Sequence, residues 1–278
     1  MSSRQRPMDA ISTDMLLDHP SETASPVLPV SRIDAVIFDM DGVVTDTGRL
    51  HAQCWKEVFD ALLRDRSGGT GRPFRPFTID DYSQYVDGRP RYDGVSSFLA
   101  SRQISLEPGD PSDPPGFRTV CGLGNLKARR FEEALADQGV APFESTIALI
   151  RLLRSRGILT ALISSSRHVS TIVACVGIAD LFDAIVDGND AATLELPGKP
   201  DPAIFLAAAR ALGVDPSRAV VVEDALAGVE AGHRGGFSMV VGVNRRGRSK
   251  ALQEHGADLV VNDLAQIKLG DTEPPEPR

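Results

Sequence analysis

Residues 33–47 read IDAVIFDMDGVVTDT. Within them Val36-Ile37-Phe38 is a short, wholly apolar run, the pattern of a strand buried on both faces of a parallel sheet. The run stops at two aspartates separated by one residue, Asp39 and Asp41, and Gly42 follows. Open α/β sheets bind ligands in the crevice at the carboxyl ends of their strands, which is where this pair falls. Two carboxylates so close together repel each other unless a cation lies beside them. The stretch therefore predicts an α/β fold with a metal-dependent reaction centre at the end of its first strand.

Working outward, similar runs recur at 159–163, 184–186, 219–222, 239–243 and 259–261, with helix-like segments at 146–155, 168–176, 202–212 and 225–232. Strands alternating with helices imply a doubly wound parallel sheet, a Rossmann-like core. Between the first strand and the second the rhythm breaks. Helix-like segments at 49–64, 91–102 and 126–137 dominate there, with Gly- and Pro-rich stretches at 67–76 and 107–122 that read as loops. Residues 48–140 are therefore expected to be an inserted helical domain. The core is expected to comprise 31–47 and 141–268, with a disordered tail over 1–30 and a second tail over 269–278.

The 278-residue chain carries a formal net charge of −8, which argues against a nucleic-acid surface. No apolar stretch is long enough to cross a bilayer, and the N-terminus lacks the apolar core of a signal peptide. Cys54, Cys121 and Cys175 are odd in number and scattered. They imply neither a disulfide framework nor a zinc site and fit a reducing cytoplasm. The expected partner is a small molecule, with no nucleic acid and no membrane. With no coiled-coil heptad in view, a monomer is the default. An anionic substrate would need local Lys, Arg or metal charge against the global balance.

Four clusters carry the chemistry, each beside a strand end or a helix start: Asp39-Met40-Asp41, Ser164-Ser165-Ser166-Arg167, Gly198-Lys199-Pro200-Asp201-Pro202 and Glu223-Asp224. A parallel sheet brings all of them to one edge. Taken singly, each has an ordinary structural reading as a turn, a helix cap or a solvated loop lysine. Taken together they suit phosphoryl transfer. An aspartate carboxylate, Asp39, attacks phosphorus and forms an acyl phosphate. Ser164 and Lys199 hold the phosphoryl oxygens. Mg²⁺ takes a few carboxylates plus water and phosphate, here from Asp39, Asp224 and Glu223. Asp41 exchanges a proton with the entering or leaving oxygen.

These motifs (DMDGVVTD, the serine after the second strand, GKPDP and VVVEDALAGVEAG) resemble the haloacid-dehalogenase-like superfamily over nearly all of residues 33–265. The segment DMDGVVTDTGRLHAQCWK is most similar to the β-phosphoglucomutase family. That resemblance implies that Asp39 is phosphorylated, that Asp41 is the general acid/base, and that the backbone carbonyl of Asp41 joins the metal ligands. It assigns Thr47, His51 and Trp55 to the hinge and to a cap formed by the inserted helices. It assigns Arg91, in the stretch GRPRYDGV that opens with Gly88, to the distal phosphate, with Lys127, Ser166 and Arg167 as further substrate contacts. There are departures. Where the family often has Lys-Asn, this chain has Lys127-Ala128, and the two cap loops are longer than a minimal cap needs. The expected activity is a Mg²⁺-dependent interconversion of β-glucose 1-phosphate and glucose 6-phosphate. A sugar-phosphate phosphatase on the same phosphoenzyme is the alternative, and a non-catalytic sugar-phosphate-binding module is a remote third.

Overall fold

The protein is described here from a computed structural model covering residues 26–70 and 75–270. Residues 1–25 and 271–278 of the expected tails, and 71–74 of the expected first loop, lie outside the described residues.

The chain begins with β1 (Val27–Pro29), β2 (Ala35–Asp39) and four helices: α1 (Thr47–Thr70), α2 (Ile79–Tyr85), α3 (Arg91–Ser101) and α4 (Val120–Gln138). It continues through α5 (Glu144–Ser155), β3 (Leu159–Ile163), α6 (Val169–Val176), β4 (Ala184–Val186), α7 (Gly188–Thr193) and α8 (Ala203–Leu212). The final elements are β5 (Ala219–Glu223), α9 (Leu226–Arg234), β6 (Met239–Val243), α10 (Ser249–Glu254), β7 (Leu259–Val261) and β8 (Lys268–Gly270). Six strands form a parallel sheet in the order β4-β3-β2-β5-β6-β7. From β2 the chain works outward to β4 on one side, then returns and works outward from β5 on the other. The topological switch point lies between β2 and β5, the place where such sheets open a ligand crevice.

The sheet is buried on both faces because alternate residues of its apolar strands point opposite ways. Val36, Phe38, Leu162, Val220 and Val222 pack with α5 and α6 on one face. Ala35, Ile37, Ala161, Ile163 and Val221 pack with α8 and α9 on the other. A separate aromatic cluster joins α1–α4: Trp55, Phe59, Phe77, Phe98 and Leu123. No described helix is long and apolar enough to cross a membrane.

Several expectations need correction. Residues 27–29 and 268–270, assigned wholly or partly to tails, pair as parallel strands β1 and β8. The helix expected at 49–64 runs from Thr47 to Thr70, into the stretch read as a loop. Its buried row Leu50, Cys54, Trp55, Val58, Phe59 and Leu62 supplies the packing, against a cost of about 1 kcal/mol for each interior glycine. The second loop ends at Thr119, whose hydroxyl caps α4 by accepting from the Gly122 N–H. Helix α2, missed by periodicity, starts with a reciprocal capping box between Thr78 and Asp81.

Candidate active site

Strand register places the functional loops at one level. Asp39, the last residue of β2, pairs with Ile163, so Ser164 follows directly beside it. Phe38 pairs with Val222, which sets Glu223 and Asp224 on the other flank. Lys199 arrives from the loop before α8 and donates to Asp39 Oδ1 and to Glu223 Oε1, both at 2.6 Å. Glu223 Oε2 accepts from the Ala225 N–H at 2.6 Å, and Asp39 Oδ2 accepts from the Asp41 N–H at 2.8 Å. Burial raises the pKa of Asp39 well above the usual carboxylate range, with Lys199 opposing and Glu223 and Asp41 adding to the rise. Burial works against the charged Lys199 as well, but Asp39 and Glu223 outweigh it and hold the ammonium protonated.

Asp41 sits in a different setting. Its Oδ1 accepts from the Thr47 hydroxyl, its Oδ2 accepts from the Ser164 hydroxyl at 2.8 Å, and His51 Nε2 lies 3.3 Å from Oδ1. Burial alone would raise its pKa, but His51, Thr47 and Ser164 hold it below the ordinary value. Burial and the neighbouring Lys127 lower the pKa of His51, so the ring is neutral near pH 7. Lys127 contacts His51 Nδ1 and lies 4.6 Å from the Phe131 ring centroid. Burial lowers its pKa to about 7. When protonated it donates to Nδ1, which leaves the ring proton on Nε2, facing Asp41.

One cavity of about 460 Å³ joins these groups to the helical segment. Its lining includes Asp39, Asp41, Lys199 and Asp224 at the strand ends, Ser166 and Arg167 from the loop after β3, and His51, Trp55, Gly88, Arg89, Arg91 and Lys127 from the helical segment. The Asn125 amide oxygen accepts from the Tyr92 hydroxyl at 2.9 Å and from Arg91 Nη1 at 3.4 Å, which aims Arg91. Gly88 has φ +74, and a Cβ there would meet the Ala225 methyl at 3.1 Å. Only glycine lets this turn approach the loop after β5 so closely.

The structure gathers every sequence-expected residue at this cavity or directly behind it. Thr47, Ser164 and Glu223 are behind it. The Ser164 hydroxyl, expected to face a phosphoryl group, donates to Asp41 and accepts from the Ser166 N–H at 3.0 Å. Sequence reasoning missed His168. Its ring lines the cavity, its Nε2 is buried with no hydrogen-bond partner among the described residues, and burial with Arg91 and Lys127 lowers its pKa to about 4. The available signal was its position directly after Ser166-Arg167 at the start of α6.

Oxygens of Asp39, Glu223 and Asp224 lie within 4.8 Å of one another. Three carboxylates are buried close together with one ammonium hydrogen-bonded among them, and burial raises the pKa of both Asp39 and Asp224, a strain that a cation would relieve. Asp224 Oδ2 is buried with no hydrogen-bond donor among the described residues. Gly42, at φ +89, leaves that oxygen its space, since a Cβ there would lie 2.3 Å from it. Both oxygens of Asp39, of Glu223 and of Asp41 already accept hydrogen bonds, so a cation would take their remaining lone pairs. The residues fit a hard cation bound at the free Asp224 oxygen, with the carboxylates of Asp39 and Glu223 beside it.

A family model described as haloacid dehalogenase-like hydrolase matches residues 33–236. The chain belongs to the haloacid dehalogenase-like hydrolase family. A β-phosphoglucomutase from Mycobacterium bovis is 44% identical over 85% of this chain and 92% of its own length. A second from Bacillus subtilis is 31% identical over 84% of this chain and 92% of its own. A crystal structure of β-phosphoglucomutase from Clostridium difficile, 24% identical, superposes with a TM-score of 0.66 over 85% of this chain and 93% of that one, and so shares the fold. Within the dehalogenase-like family the chain is therefore β-phosphoglucomutase-like. It is an enzyme, a phosphomutase or a phosphatase.

Proposed function

We propose that this enzyme is a Mg²⁺-dependent mutase that interconverts β-glucose 1-phosphate and glucose 6-phosphate through phospho-Asp39, with residues 48–140 acting as a cap on the core. One observation carries the reading: Arg91 and Arg167 line the same cavity as Asp39 and Lys199, which in this reading provides for two phosphates. Asp39 and Lys199 serve the one being transferred. Arg91 and Arg167 serve the one that is not. The 44% identical relative named β-phosphoglucomutase supports the same assignment.

In the transfer step a sugar hydroxyl oxygen bonds to phosphorus as the bond from phosphorus to the Asp39 carboxylate breaks. The hydroxyl proton passes to Asp41, which Thr47 and Ser164 hold ionised and so in the form that can accept it. The bisphosphate then turns round in the closed cavity. Asp39 attacks the other phosphoryl group while Asp41 returns its proton to the leaving oxygen. Lys199 draws charge off Asp39, and Arg91 and Arg167 grip the idle phosphate. A closed cap keeps water from taking the phosphoryl group. Mg²⁺ held by Asp39 and Asp224 would offset the charge of the phosphoryl oxygens.

The test is incubation of the pure protein with β-glucose 1-phosphate, Mg²⁺ and a trace of the bisphosphate. Glucose 6-phosphate is expected; inorganic phosphate without it would overturn the mutase reading. A phosphatase acting on sugar phosphates is the second reading. It is favoured by Ala128, which occupies the position after Lys127 where the resembling family often has asparagine. A reducing, cytoplasmic setting belongs to the same proposal and agrees with three free cysteines.

A further inference from the structure

The loop that follows β6 reads Asn244-Arg245-Arg246-Gly247-Arg248, and the mechanism above uses none of it. Arg245 fixes the loop to the core, with Nε donating to the Gly42 carbonyl at 2.8 Å and the guanidinium lying over the Phe143 ring. Arg246 points the other way, into the helical segment. Its Nη1 donates to Asp87 Oδ2, and its guanidinium lies 5.2 Å from the centroid of Tyr82. Arg248 Nη2 lies 3.6 Å from the same Asp87 oxygen. Asp87 is buried, and among the described residues both of its ion-pair partners belong to this core loop. The next residue, Gly88, accepts at its carbonyl from the Ser165 hydroxyl of a second core loop at 2.9 Å.

A second neighbour gives the contact a consequence. Arg246 Nη1 is 3.7 Å from Asp224 Oδ2, the buried oxygen without a hydrogen-bond donor. The arginine thus stands between a cap carboxylate, to which it donates a hydrogen bond, and a core carboxylate, which it approaches to ion-pair distance without one. We infer that Arg246 is a positioning residue that latches the cap shut through Asp87, and that this pairing holds it off Asp224. The inference rests on the reading of residues 48–140 as a cap and of Asp224 as a cation ligand.

The physics makes the latch reversible. A buried carboxylate needs a countercharge, so the closed state is favoured only with the arginines in place. On opening, all three side chains return to water, where such pairs contribute little. The latch also couples closure to the metal site. With Asp87 neutralised, Arg246 has Asp224 as its nearest carboxylate and competes there with a cation. With Arg246 neutralised, the charge of Asp87 is uncompensated and favours a cation instead. The two substitutions should therefore loosen the cap alike yet change cation affinity with opposite signs.

The test uses the full chain without substrate, so its outcome does not depend on which reaction the enzyme performs. Amide hydrogen exchange across residues 86–92 reports cap opening, and Mn²⁺ binding followed by electron paramagnetic resonance reports the site. Asp87→Asn and Arg246→Gln should each speed exchange about fivefold or more. Asp87→Asn should weaken Mn²⁺ binding about tenfold, Arg246→Gln should tighten it, and the double variant should return to near the wild-type affinity. Unchanged exchange in both single variants, or a shift of Mn²⁺ affinity in the same direction in both, would overturn the inference. Failure of the mutase assay would leave these measurements standing.

Discussion

Asp39 and Asp41 stand two residues apart, yet their surroundings move their carboxyls in opposite directions. Burial raises the first, while His51, Thr47 and Ser164 hold down the second against the same burial. Pairs driven apart in this way divide into distinct chemical roles. Asp39→Asn replaces the proposed nucleophilic carboxylate with an amide that cannot form the acyl phosphate. Turnover should fall to background, with no acid-stable label on the protein after incubation with labelled substrate; a persisting label would assign the nucleophile elsewhere. Lys199 keeps Glu223 as its partner in that variant, so the variant should remain folded. Asp41→Asn leaves Asp39 and Asp224 intact and removes only the proton acceptor. Its kcat should drop by roughly 10²–10⁴, while Mn²⁺ affinity stays within about twofold. Calorimetric titration beside steady-state rates separates the two quantities. A matching loss of cation affinity would mean that the Asp41 side chain serves the metal rather than the proton.

At the scale of elements, the strands were legible because each is a short apolar run that must be buried on both faces. All six strands of the main sheet fall on the runs read from the sequence. The four clusters were legible because each follows a strand end or opens a helix. Strands β1 and β8 were not, since three residues at one end of the chain pair with three at the other and neither carries a local pattern. The Arg246–Asp87 contact was hidden for the same reason: a loop arginine has no periodicity, and its partner lies 159 residues away. Helix α4 shows how an element can carry a cost for function. It buries Lys127 against Phe131 and Trp55, which lowers its pKa from 10.5 to about 7. The unfolded chain keeps that proton up to about pH 10.5, and the folded chain sheds it near 7. Between those values the unfolded state binds more protons, so folded-state stability from this group rises with pH and is lowest below about pH 7. Lys127→Met should therefore be more stable than wild type at pH 6, with the gap narrowing toward pH 9.5. Urea midpoints of the substrate-free proteins across that range give the comparison, and parallel curves would show that Lys127 is not desolvated.

For the whole molecule, the hydrophobic interior falls into two clusters on the faces of the sheet and one aromatic cluster among α1–α4. The helical segment meets the sheet core through apolar side chains as well, since Leu50, Cys54 and Phe131 of α1 and α4 pack in the first cluster, and through polar contacts such as Ser165 to Gly88 and Arg246 to Asp87. The separate aromatic cluster implies that the helical segment proposed as a cap can be weakened alone. Phe98 is fully buried at the centre of its cluster, with ring centroids 4.2 Å from Phe59 and 4.9 Å from Phe77. Phe98→Ala should cost about 3–5 kcal/mol, and the loss falls on the cap because Phe98 belongs to neither core cluster. Trp55, the chain's single tryptophan, lies in that cluster 4.9 Å from Phe59, so its fluorescence reports the cap while far-ultraviolet dichroism reports the whole chain. In urea the variant's fluorescence midpoint should move to lower denaturant, with a dichroism transition remaining for the core. If both signals instead move together to one lower midpoint, cap and core unfold as one cooperative unit, and closure must proceed by a rearrangement smaller than the parting of two independently stable bodies.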